Sequence, residues 1–174
     1  MNFYLKFLLS SLVLFLCIAI ALSIVGIKVN MSASIPKGIY IKSRKTMEKG
    51  DFVIFCPPNN GIFEMALERH YLPRGYCSIG SAFLFKQIAG EEGDEITSNR
   101  QGVIVNKVRL PLSKPFTQDA LGMKLPHFIA ENYKLKKTEL LLMSVQNPLS
   151  FDARYFGLIN KSKIISVVKP IFVW

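Results

Sequence analysis

Residues 81–96 read SAFLFKQIAGEEGDEI, an apolar and aromatic run broken once by Lys86 and closed by a turn rich in glutamate and glycine. A short run of this kind bounded by turn formers reads as a β-strand. Strand alternation puts Ala82, Leu84, Lys86 and Ile88 on one face, so the Lys86 ammonium projects from an apolar surface. Working outward, GIYIKS (38–43), DFVIFC (51–56), GVIVNKV (102–108), TELLLMSV (138–145) and KIISVVKPIFV (163–173) have the same character. CPPNNG (56–61) and the segments around Pro111 and Pro126 read as the turns between them. Only IFEMALERHYL (62–72) has helical spacing. There is no internal repeat and no low-complexity linker, so the expected fold is mainly β, one unit of antiparallel sheets.

The amino-terminal end belongs to a different physical regime. FLLSSLVLFLCIAIALSIVGI (7–27) carries no charge and lies between Lys6 and Lys28. Its length suits the roughly 20 residues that an α-helix needs to cross a bilayer. A cleavable signal peptide has a shorter apolar region, about 7–15 residues, ending at a small-residue cleavage site. The expected organisation is therefore an anchor at 1–28 and a domain at 29–174, single-pass, with the amino terminus inside and the domain outside. In a bacterium that is the inner membrane with a periplasmic domain.

The 174 residues have a formal charge of +10, which raises the question of a polyanionic partner. Lys28, Lys37, Lys42, Arg44, Lys45 and Lys49 follow the anchor directly, where basic groups favour an anionic lipid surface; a solvated polar surface is the alternative. No basic stretch is interleaved with aromatics and no nucleic-acid module is present, so a nucleic-acid partner is not expected. Of the three cysteines, Cys17 lies in the apolar run. Cys56 and Cys77 remain as a pair that can form a disulfide in an oxidising compartment. His70 and His127 stand far from any clustered ligand set, and no metal or organic cofactor is expected.

Two further segments carry the chemistry. NMSASIPKGIY (30–40) follows the apolar run almost at once, so Ser34 sits within about 20 Å of Lys28 even in an extended chain. Its substrate is then expected to be membrane-associated. NPLSFDARYFG (147–157) offers Ser150, Asp152 and Arg154 at alternate positions, which in an extended chain share a face. There Asp152 and Arg154 can pair bidentately while the Ser150 hydroxyl orients an amine. Burial lowers a lysine's pKa, and a neutral Lys86 can take a proton from the Ser34 hydroxyl; an edge-strand lysine that snorkels to water is the alternative.

Taken in order after a single anchor, these segments resemble the signal peptidase family of Ser/Lys proteases, and within it the conjugative-transfer, TraF-type branch. The resemblance rests on Asn30, Ser32, Ser34, Pro36, Gly38 and Tyr40, on KGDFVIF (49–55), on KQIAGEEGD (86–94) and on SFDARYFG (150–157). It implies Ser34 as nucleophile, Lys86 as base and Asp152 as a further required residue. It also implies an oxyanion hole from the Ser32 hydroxyl and the Ser34 N–H, with Ser150 orienting Lys86 and Arg154 supporting Asp152. Gly93 and Asp94 match the family's turn after the lysine strand. Ile35 where Met is usual, Glu92 where Pro is common and Ala153 where Ser is common are departures that remove no chemical group. The implied substrate is a pilin-like precursor of a conjugative secretion system, hydrolysed or joined end to end. A general signal peptidase and a non-enzymatic, membrane-tethered pilus assembly protein are the alternatives.

Overall fold

The computed structural model describes residues 2–144 and 146–174, without the side chains of residues 19 and 22–24. An amino-terminal helix, α1 (Phe3–Val25), runs directly into strand β1 (Ile27–Asn30). Gly26, at φ 84°, makes that junction. A Cβ there would stand 2.9 Å from that of Lys42, so glycine suits both the left-handed backbone and the close approach. Among the described residues no helix is long and apolar enough to cross a membrane. The expectation of a spanning anchor falls in part on side chains outside the described ones.

The domain is built on a seven-stranded sheet. Besides β1 it holds β2 (Gly38–Ser43), β3 (Phe52–Phe55), β4 (Leu84–Gly90), β9 (Glu139–Met143), β10 (Ile159–Asn160) and β11 (Ile164–Val173), in the order β1-β2-β11-β3-β4-β9-β10. A second sheet of four strands has the order β7-β6-β5-β8, from β5 (Glu95–Asn99), β6 (Gly102–Val105), β7 (Val108–Arg109) and β8 (Ala130–Lys134). The pairings within both sheets are antiparallel, so the mainly-β expectation holds. Two helices complete the domain, α2 (Gly61–Glu68) and the single turn α3 (Ala153–Phe156).

Some runs divide differently from the reading above. GVIVNKV folds as a hairpin, β6 to β7, because Asn106 and Lys107 both take positive φ, 49° and 68°, as a two-residue turn between twisted strands requires. SAFLFKQIA becomes strand only from Leu84. Its first residues instead close a small hairpin, in which Arg74 pairs with Ser81 and Ala82 N–H donates to the Pro73 carbonyl. The helix in IFEMALERHYL stops at Glu68, shortly before His70 at φ 58°. Asn60 starts it, accepting the Phe63 N–H with its side chain. Val145, at the end of TELLLMSV, lies outside the described residues.

Burial along β4 follows the expected alternation: Leu84, Lys86 and Ile88 are buried. The main core packs Val53, Phe55, Ile88, Leu140 and Leu142 against Phe63 of α2 and Phe156 of α3. A smaller cluster of Ile35, Tyr40, Ile54 and Val168 backs the segment after β1. Cys56, just after β3, is disulfide-bonded to Cys77 in the small hairpin, with Cα atoms 5.5 Å apart.

Candidate active site

Lys86 sits mid-strand on β4, in register with Val53 of β3, and only 3% of it is exposed. Its Nζ donates to Ser34 Oγ at 2.9 Å and to Ser150 Oγ at 2.5 Å, and the two hydroxyls lie 3.1 Å apart. Three groups from three distant parts of the chain thus form one closed triangle. Burial is the first cause holding the Lys86 pKa at about 8, against 10.5 for a free lysine. The nearby Asp152 charge opposes that drop and the Arg154 charge adds to it. A buried amine that is about half neutral at pH 8 can accept a hydroxyl proton.

The loop carrying Ser34 is folded around Asn30, the last residue of β1. The Asn30 Nδ2 donates to the carbonyls of Ser32, Ile35 and Pro36 at 3.0, 3.2 and 3.0 Å. Its Oδ1 accepts the Ser32 N–H and the Ser32 hydroxyl, at 3.0 and 2.7 Å. Tyr40 adds a hydroxyl bond to the Pro36 carbonyl, 2.6 Å. Gln146 Nε2 donates to the Ala33 carbonyl at 3.3 Å, and a planar trans peptide then points the Ser34 N–H the opposite way. The Ser32 hydroxyl expected at an oxyanion hole is turned to Asn30 here, so it must rotate to serve one.

Asp152 and Arg154 do not sit on one face of an extended chain. Asp152 caps α3, its Oδ1 accepting the Arg154 N–H, and Arg154 belongs to that turn. The guanidinium folds back, Nε to Oδ1 at 2.7 Å and Nη2 to Oδ2 at 2.8 Å, a bidentate pair. Arg154 is fully buried, and also donates to the carbonyls of Leu112, Pro148 and Ser150 at 2.9, 2.9 and 3.0 Å. It therefore fixes the backbone that presents Ser150. Asp152 makes no hydrogen bond to Lys86 or Ser34; its other bond is from the Ser144 N–H, 3.1 Å.

Ser144 escaped the sequence reading, because a serine closing an apolar strand carries no local signal. Gly93 and Asp94 close the turn after β4, where Asp94 accepts the Glu91 N–H and the Lys49 ammonium, at 3.1 and 3.0 Å. Neither reaches the triangle. A cleft of about 540 Å³ opens over it, lined by Val29–Ser34, by Leu72, Pro73 and Ala82–Phe85, and by Leu149 and Phe151. These walls are mostly apolar and can take an extended peptide. Among the described residues no cluster of His, Cys, Asp or Glu could hold a metal ion.

A site of this kind on a mainly-β domain defines a class, and the chain belongs to the family described as signal peptidase, peptidase S26, whose profile matches residues 1–174. A plasmid transfer protein TraF from Escherichia coli is 42% identical over 159 residues, covering 91% of this chain and 90% of its own length. A conjugal transfer protein TraF from Agrobacterium tumefaciens (strain 15955) is 29% identical over 153 residues, 86% of this chain and 84% of its own length. Among solved structures, a signal peptidase I from Enterococcus faecalis V583 matches 73% of this chain and 100% of its own, at 16% identity and a TM-score of 0.43. The resemblance carried by the motifs is thus to the family that the chain belongs to.

Proposed function

We propose that the chain is a membrane-anchored serine endopeptidase that processes a membrane-associated precursor with a Ser34/Lys86 dyad. The observation that carries this reading is the buried Lys86 amine within 2.9 Å of the Ser34 hydroxyl. Neutral Lys86 takes the hydroxyl proton as Ser34 Oγ attacks the scissile carbonyl. The Ser34 N–H, joined by the rotated Ser32 hydroxyl, receives the oxyanion. Lys86 then returns the proton to the leaving amine, and an acyl ester remains on Ser34. Water, or the amine of another peptide end, gives up a proton to Lys86 as it attacks the ester, and Lys86 passes that proton to Ser34 Oγ as the acyl group leaves. Ser150 keeps the amine aimed at Ser34 throughout.

The anchor is α1. At 1.5 Å per residue a helix of 23 residues is about 34 Å long, enough for a hydrocarbon core of about 30 Å. The hydroxyls of Ser10 and Ser11 both donate to the Phe7 carbonyl, so neither needs water. With residues 1–28 as anchor and 29–174 as domain, the amino terminus is cytoplasmic and the cleft is periplasmic. The TraF relatives, named for plasmid and conjugal transfer, support a pilin-type precursor as substrate.

The test is co-expression with a pilin-type precursor from the same transfer system, followed by the mass of the product. Wild type should shorten the precursor. Ser34→Ala and Lys86→Arg should leave it intact, since a guanidinium stays protonated and cannot serve as base. Full processing by Lys86→Arg would remove the mechanism, and processing of a general exported precursor instead would move the substrate to ordinary signal peptides.

A further inference from the structure

We propose that Ser144 is a positioning residue that sets the peptide of the nucleophile, and that Asp152 acts on Ser34 through it. The inference rests on the Ser34/Lys86 reading and goes beyond it. Ser144 follows β9 directly and is 3% exposed. Its hydroxyl donates to the Ser34 carbonyl at 2.7 Å and accepts the Asn147 N–H at 3.2 Å. Its own N–H donates to Asp152 Oδ2 at 3.1 Å. A hydroxyl has one proton, and here the Ser34 carbonyl takes it.

That bond fixes the plane of the peptide on the carboxyl side of Ser34. The plane on the amino side is held from the same segment, through Gln146 and the Ala33 carbonyl. The two backbone angles of Ser34 are thus pinned from one short stretch that follows β9. That stretch is tied to Asp152, which Arg154 grips with two nitrogens. Asp152 has no hydrogen bond to Ser34 or Lys86, yet three steps join it to the nucleophile: carboxylate to Ser144 N–H, along the residue to its hydroxyl, and hydroxyl to Ser34 carbonyl. Without the hydroxyl, Ser34 can turn its Oγ away from Lys86. Small misplacements of a reacting group cost as much as about 100-fold in rate.

The experiment follows cleavage of the same pilin-type precursor by the full-length protein in detergent. Ser144→Ala should lower kcat by about tenfold or more at nearly unchanged KM. The pH midpoint of kcat/KM should stay that of wild type, since Ser144 does not touch Lys86. Ser144→Thr, which keeps the hydroxyl, should recover most of the rate. If threonine does not fold, the near-isosteric Ser144→Cys, a weaker donor, should fall between serine and alanine. Asp152→Asn combined with Ser144→Ala should lose less than the product of the two single losses. Wild-type kcat in a folded Ser144→Ala, or a loss accompanied by a shifted pH midpoint, overturns the proposal. If Ser34→Ala cleaves the precursor as fast as wild type, the dyad itself is wrong and the proposal goes with it.

Discussion

Lys86 works against the stability of the fold that buries it. Its pKa is about 8 in the folded chain and 10.5 when free, so between those values the unfolded chain binds more protons. Stability therefore rises as pH climbs from about 8 to 10.5, and below about 8 the fold carries the full penalty, on the order of 3 kcal/mol. Lys86→Met should raise the urea midpoint at pH 7 while abolishing cleavage. A midpoint that falls instead would mean that the bonds to Ser34 and Ser150 outweigh the buried charge. The burial of Lys86 was legible because one charge in an apolar strand is conspicuous. Ser150 was legible only beside it. Ser144 and Gln146 were not, since each acts on a carbonyl more than a hundred residues away, at separations of 110 and 113.

At the scale of elements, the small hairpin at 73–82 meets the cleft at its two ends, Pro73 and Ala82. It is fastened to the end of β3 by the Cys56–Cys77 bond. Closing a loop of this size contributes roughly 3 kcal/mol. Replacing both cysteines by serine should lower the unfolding free energy by about that much. It should also raise KM more than it lowers kcat, because the ends of the hairpin, Pro73 and Ala82, line the cleft while the hairpin makes no bond to the Ser34–Lys86–Ser150 triangle. An unchanged denaturation midpoint would show that the hairpin is held by packing alone. Strands β2, β3, β9 and β11 were readable from short apolar runs. The edge strand β8, AENYK, was not, because only Ala130 and Tyr133 are even partly buried and its pattern is polar. The turn α3 was missed because Asp152 and Arg154 read as alternating strand positions, whereas the Asp152 side chain caps a helix.

Across the whole molecule, α1 continues into β1 through Gly26, and β1 ends at Asn30, which shapes the loop that carries Ser34. Ser34 therefore lies a few residues from the end of α1, and if α1 is the anchor proposed above, a precursor embedded in the same bilayer meets the cleft without diffusing to it. A chain lacking residues 1–25 should leave the membrane fraction on extraction at high salt, and should process the precursor far more slowly. Retention in that fraction would mean that the exposed apolar residues at the end of the last strand, Ile171, Phe172 and Val173, also bind lipid. The central claim, a neutral Lys86 drawing the proton from Ser34, is tested most directly by the pH dependence of kcat/KM for precursor cleavage by the wild-type protein. The rate should rise along a single limb with its midpoint at about 8. A midpoint near the histidine value of about 6.5, or a rate independent of pH from 6 to 10, would contradict it.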